Sequence, residues 1–479
     1  METVAAPVDS QTELTTALVN QLNAQANTLV GAINKVSLDP IDMGSAGLFP
    51  YYWQDPSNLN FNSKTYDWVK RFLVQPNEDS PVGFGSVFHD QFLTAINAIS
   101  YSLSNADQVA LNQANANTVN QQGAVLNAWV AAYGKLPTPT TTTQPIDDVV
   151  NIIRTTWATD TKTTLQDLQS SKNINLLLGN MPASGKPILP VFVNYLNAMG
   201  SALGLIDTVS YKTGYIERLI EAVSTPSATN GGMLLNNGKY APAYVFSQQA
   251  SDIINGLKNL SNSVKLNTSM KKYSETDVEV SVGAKSYIAL SNWFFSLDVE
   301  NDTNYYQQNI VSNSQTISIE MDFTGVTIAQ YTPLQYDDAT GLGWFDASPI
   351  LESLKNGSSD VSGYKFQPNP EINFEEFGNF GLSTAVAIAN YPTITIVITS
   401  DDYQSIYSRL DTSTNFAVSS MCNGGVSGST SYSKSSLQQD DTSKSITITM
   451  SPPQNLVAGT AVGSTAFVMG IHTEYPASN

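Results

Sequence analysis

Cysteine is almost absent from this chain: Cys422 is the only one in 479 residues. No intrachain disulfide can form, and structural zinc sites, iron–sulfur clusters and Cys-x-x-Cys redox motifs are excluded with it. Histidine is nearly as scarce, with only His89 and His472. A three-histidine zinc site is therefore impossible, and a Ser-His-Asp triad would have to recruit one of these two. No Gly-x-Ser-x-Gly elbow supports such a triad. Charge is also sparse, at 13% of residues against the usual quarter. Asn, Gln, Ser and Thr fill the deficit and predict a neutral, polar surface.

Positive charge is the scarcer sign. The net charge is −19, from 22 Lys+Arg against 41 Asp+Glu. Residues 1–262 hold 13 and 19 of these, and residues 263–479 hold 9 and 22, so most of the excess falls in the second half. Such a chain repels phosphate backbones, and nucleic-acid binding is not expected. The first residues have neither a basic start nor an apolar core, so no signal peptide is expected. A cytoplasmic inclusion, or release by a non-classical route, is the localisation expected from this reading.

Long apolar runs are missing too, with one marginal exception. Residues 187–206 carry no charge. Within them Leu189, Phe192, Leu196, Met199, Leu203 and Ile206 recur at steps of 3 and 4, one stripe of a helix. Ile188, Val193, Tyr195, Ala202 and Leu205 widen the stripe, which predicts a central helix buried by its neighbours. Gly200 and Gly204 offer a small face for close helix packing. Pro190, Asn194 and Asn197 count against a permanent membrane span.

The rest of the first half also reads as helices. Residues 10–35 show a capping box at Ser10 and Glu13, then a leucine-rich helical stripe. Helices are predicted over 66–74, twice between 86 and 134, and over 146–168, 213–223 and 242–260. A Pro/Thr linker at 137–145 interrupts them. Near residue 261 the period changes from 3.6 to 2. Val278–Val280–Val282, Ile317–Ile319–Met321–Phe323, Ile394–Ile396–Ile398, Ile446–Ile448–Met450 and Phe467–Met469–Ile471 each alternate with polar residues. These predict half-buried antiparallel strands, with one inserted helix at 345–362 and a Ser/Gly-rich loop at 424–445. The expected fold is α+β: an all-α helical bundle over 1–262, then an antiparallel β-sandwich over 263–479.

Chemistry-bearing patterns are few. Residues 179–187 mimic a phosphate loop, but the glycine spacing is one residue too long and Pro187 stands where a hydroxyl should bind Mg²⁺. An interhelical turn is the expectation. The acidic pairs Asp337–Asp338, Glu375–Glu376, Asp401–Asp402 and Asp440–Asp441 lack calcium-loop spacing and read as solvated turns. Asp401–Asp402 is the best of them for a loop calcium site. The aromatic groups Trp293–Phe294–Phe295 and Tyr305–Tyr306 read as core. Tyr51, Tyr52 and Trp53 are the candidate partner-binding group. No catalytic residue, cofactor site or metal site is expected, and no enzymatic activity.

A helical first half with a central apolar helix, followed by a β-rich half, resembles in layout the pore-forming insecticidal crystal toxins. That resemblance implies non-enzymatic membrane permeabilisation after the β half binds a cell-surface receptor, with a homo-oligomer as the acting form. Two other readings stand beside it. The Asn/Gln-rich helices and neutral surface also suit a self-assembling subunit of a particle, tube or inclusion. A carboxylate-dependent glycoside hydrolase is the surviving enzymatic form.

Overall fold

The protein is described by a computed structural model. It covers residues 48–51, 53, 60–74, 83–138, 144–272, 278–282, 314–413, 415–419, 429–452 and 465–477. The predicted helix at 10–35, Tyr52, the aromatics at 293–295 and 305–306, and Cys422 lie outside these residues. The fold is mixed α+β, and the chain forms two compact units. The first comprises residues 1–97, 219–347 and 370–479; the second comprises 98–218 and 348–369.

Strands form in the first unit where alternation predicts them. A seven-stranded antiparallel sheet runs in the order Asn415–Ser419, Ser429–Asp440, Ser445–Ser451, Thr393–Thr399, Thr316–Thr324, Ser263–Lys272, Val278–Val282. Its register places apolar side chains in rows across three strands. Ile317 faces Ile398, which faces Ile446; Ile319, Ile396 and Ile448 form the next row, and Met321, Ile394 and Met450 the third. All nine are buried. At about 1.5–3 kcal/mol per buried side chain, these rows outweigh any single hydrogen bond of the sheet. Mostly Thr and Ser, with Glu320, Asp322 and Val397, occupy the alternate, half-exposed positions.

A five-stranded sheet runs Leu48–Pro50, Thr465–Glu474, Leu382–Ala389, Thr327–Pro333, Tyr244–Phe246. Both of its edges come from the first half of the chain. The change of period near residue 261 therefore does not divide the molecule, and the boundary expected at 262 falls inside the first unit. Three-residue strands carry no readable period, which is why an all-helical first half was the expectation. The stretch read as a Ser/Gly loop is also largely strand: Ser429–Asp440 pairs on both sides, and residues 441–444 make the turn into the next strand. Threonine and serine suit the solvent face of a sheet as well as they suit a loop.

Aromatic packing fills the first unit. Phe72, Phe88, Phe92, Trp344 and Phe380 are fully or almost fully buried. The Trp344 indole N–H donates to the Ala243 carbonyl at 2.7 Å, and the Tyr475 hydroxyl donates to Leu73 O at 2.6 Å.

The turn that leads from Thr316–Thr324 in the seven-stranded sheet to Thr327–Pro333 in the five-stranded sheet is made at Gly325, whose φ is 65°. A Cβ there would lie 2.2 Å from the Leu257 carbonyl oxygen, so both conformation and space require glycine. Gly238 also has positive φ, 79°, but a Cβ on it would meet nothing within 4 Å. Gly325→Ala is expected to cost about 2–4 kcal/mol in urea unfolding, and Gly238→Ala about 1 kcal/mol. Equal losses would refute the close approach at Gly325.

Candidate functional site

The second unit is helical. Its core gathers Val125, Trp129, Ile146, Val149, Ile153, Trp157, Leu168, Leu178, Ile188, Phe192, Tyr195 and Leu196. The two tryptophans stack, with ring centroids 5.7 Å apart and planes 12° from parallel. Trp157 closes a π-helical turn, Ile153–Trp157, that continues the helix Pro145–Ile152. Such a turn widens the helix locally and re-aims the residues at its end.

The stretch with phosphate-loop spacing is a turn seated on Trp157. Gly185 lies against the indole, so that a Cβ would stand 2.8 Å from its ring. The Gly185 amide donates to Pro182 O and the Lys186 amide to Ala183 O. The Asn180 amide donates to Trp157 O, and its side-chain NH₂ to Ala158 O. Amides that would cradle a phosphate are thus spent on the turn itself. From this turn the chain enters the 36-residue helix Leu189–Ser224. Pro190 sits in its first turn, where a missing N–H costs nothing.

This helix is longer and less covered than its sequence suggests. The predicted break between 207 and 213 does not occur. One 18-residue window in it is apolar enough to cross a bilayer, yet only 28% of that window is buried. The six residues of the predicted stripe and the two glycines of its small face divide. Phe192 and Leu196 are buried in the cluster, with Leu189 and Met199 packed against it. Leu203 is half-buried, whereas Gly200 and Gly204 are exposed and Ile206 is 42% exposed. A Cβ on Gly200 or on Gly204 would meet nothing within 4 Å. The close packing expected of that small face is therefore not made among the described residues.

A second long helix, Asn105–Tyr133, is also little covered. Ser104 caps it by accepting from the Asp107 amide, and Gly134 ends it in the left-handed conformation. Asp107 is its only charge. Only Val125 and Trp129 are buried, both near its end, while Val109 and Val119 are 52% and 63% exposed. Residues 105–124 contain no buried side chain. Helical pattern in the sequence does not report this, because Asn, Gln and Ala suit a covered or an open helix equally well.

The other predicted sites resolve differently. Tyr51 is fully buried and Trp53 is 6% exposed, stacked on Phe246 at 4.1 Å. They are core of the first unit and do not form an exposed partner-binding patch. Asp337 and Asp440 each cap their own turn, accepting from Ala339 N and from Thr442 N. Asp401 takes a 2.7 Å bond from Lys444 and a 2.9 Å bond from Gln315, which hold its carboxyl below the usual range. Among the described residues, no group of three or more His, Cys, Asp or Glu side chains is placed to hold a metal ion.

His472 lies in the strand Thr465–Glu474, 3.8 Å from Glu474. His89 is a site that sequence reasoning undervalued. It packs beside Tyr66 and Trp344, and its buried Nδ1 has no hydrogen-bond partner. Burial pushes its imidazole down to about 4; Asp90 opposes this shift and Lys70 adds to it. The neighbouring Tyr244 hydroxyl is also buried without a partner, and burial raises it well above the ordinary tyrosine range. Its only sign in the sequence is the neighbour Asp90, beside which, near a helix start, His89 reads as a polar helix residue.

No family model, no curated protein and no solved structure matches this chain.

Two outcomes follow. The unfolded chain, with its histidine near 6.5, takes up a proton before the folded chain does, so His89 weakens folding as pH falls from about 6.5 toward about 4. Between pH 7 and pH 5 wild type should lose about 2 kcal/mol more than His89→Gln in urea unfolding. Parallel pH profiles would place His89 in water. In the second unit, Leu196→Ala should cost about 2–4 kcal/mol and Gly200→Ala should add about 0.5–1 kcal/mol. A loss at Gly200 would mean that the face is covered after all.

Proposed function

We propose that the protein is a non-enzymatic, pore-forming toxin-like protein. The helical unit acts on membranes, and the strand-rich unit binds a target such as a cell-surface receptor. One observation carries this reading: the helix Leu189–Ser224 holds a bilayer-length apolar window of which only 28% is buried. Apolar helical surface left open on a folded protein marks a contact made elsewhere. In the same reading the two large sheets are facing layers of a sandwich, supported by the 5.0 Å contact between Phe323 of one and Phe467 of the other. The helices around Trp129 and Trp157 stand for the bundle.

Self-assembly is the second reading, and the helix Asn105–Tyr133 favours it. In proteins most helical stability comes from packing one face against a neighbour. A 20-residue stretch with no buried side chain gains stability when a second copy covers it.

Dye release from liposomes separates the two. Membrane action predicts release at acidic, neutral or alkaline pH, with or without prior protease, and protein that sediments with vesicles. Regular filaments or shells in negative stain, with neither release nor sedimentation, would replace it with assembly.

A further inference from the structure

The charge of this protein is partitioned between its two units. The second unit, residues 98–218 and 348–369, holds nine Lys+Arg and nine Asp+Glu, and so is neutral. The first unit holds the remaining 13 and 32, and so carries the whole net charge of −19. Dividing the sequence at residue 262 hides this, because the second unit draws on both sides of that point.

Within the neutral unit, charge is also kept off the open surfaces. The helix Asn105–Tyr133 is uncharged after Asp107, and the helix Leu189–Ser224 is uncharged up to Asp207. The exposed residues there include Val109, Val119, Val130, Tyr133 and Ile206 among the apolar ones, and Asn197, Gly200, Ser201 and Gly204 among the small or polar ones. Neither stretch, 105–133 or 189–211, contains a Lys or Arg.

We propose that the surface this unit contacts is an electrically neutral lipid surface, zwitterionic and not anionic. This rests on the membrane reading above and names the lipid class. Anionic lipid attracts basic segments and repels acidic ones within a Debye length of the surface. A chain with 13 basic and 32 acidic residues in its first unit is pushed from an anionic surface, and its neutral unit supplies no compensating attraction. A zwitterionic surface imposes no such repulsion on an acidic chain or on an uncharged helix face.

The test is sedimentation of the full chain with phosphatidylcholine vesicles and with vesicles of one-half phosphatidylglycerol, at 20 mM and 500 mM NaCl. The expected result is binding to phosphatidylcholine that varies less than threefold with salt. Binding to the anionic vesicles should be at least tenfold weaker at low salt and should recover at high salt. Gly200→Glu and Gly200→Lys should each weaken phosphatidylcholine binding at least fivefold without lowering the thermal unfolding temperature, because the side chain enters open space. Tighter binding to anionic vesicles at low salt would overturn this inference and leave the membrane reading standing. Opposite effects of Glu and Lys would overturn it too, since they would show electrostatic attachment. Failure to bind any vesicle, or self-association alone, would overturn both.

Discussion

Burial of Ile188, Phe192, Tyr195 and Leu196 in the cluster around Trp129 and Trp157 is the constraint on which the helical unit depends. These residues fix one face of the 36-residue helix at its N-terminal end. The turn that feeds the helix is held on the same indole by Gly185. Beyond Ala202, the next buried side chain of the helix is Ile216. The helix between is held mainly by its own backbone bonds, by continuity with its ends, and by local contacts such as the Tyr364 hydroxyl donating to Lys212 O at 3.0 Å. A helix anchored at its ends and open in the middle can present surface without losing its place.

Much of this fold was legible in the sequence, and the part that was not has physical causes. Alternation in Ile317–Phe323, Ile394–Ile398 and Ile446–Met450 identified the strands, because each strand has one buried and one wet face. Leu48–Pro50 and Tyr244–Phe246 were invisible, because three residues carry no period and their partners lie far along the chain. Tyr51 and Trp53 were read as available for binding for a related reason. Phe246, on which Trp53 stacks, is remote in sequence and gives no local sign. The candidate helix itself was found, but not which side of it is covered. Periodicity says that residues share a face; it does not say whether anything lies opposite. Gly200 illustrates this: small-residue spacing suggested a close neighbour, and the structure leaves open space there.

The two units solve the problem of few charges in opposite ways. In the first, Thr and Ser on the wet faces of the strands supply polarity without charge, and acidic residues such as Asp337 and Asp440 serve turns. In the second, Asn and Gln do the same on helices, and the few charges act locally. Asp147 and Asp167 close capping boxes, the latter with Thr164, which keeps its carboxyl below the usual range. Ser362 bonds Asp107, and Asp360 accepts from the Asn105 amide, so both acids are spent at the start of one helix. Charge used for capping is charge withheld from the helix faces: Asn105–Tyr133 is uncharged after Asp107, and Leu189–Ser224 is uncharged up to Asp207.

Under the membrane reading, the same helix argues for lying on a bilayer before crossing it. Phe192 and Leu196 already sit in an apolar core, so hydrocarbon offers them no gain. Asn194 and Asn197 are exposed, and each would cost about 2–7 kcal/mol in hydrocarbon without a partner. Insertion of a single copy therefore loses polar solvation and gains little. The balance changes when several copies insert together. Asn194 and Asn197 can then pair between helices, and Gly200 and Gly204 let the backbones approach, as small residues do in membrane helix pairs. The residues that oppose a lone span are the ones that suit an associated one, so pore formation by this helix requires an oligomer, while surface contact does not.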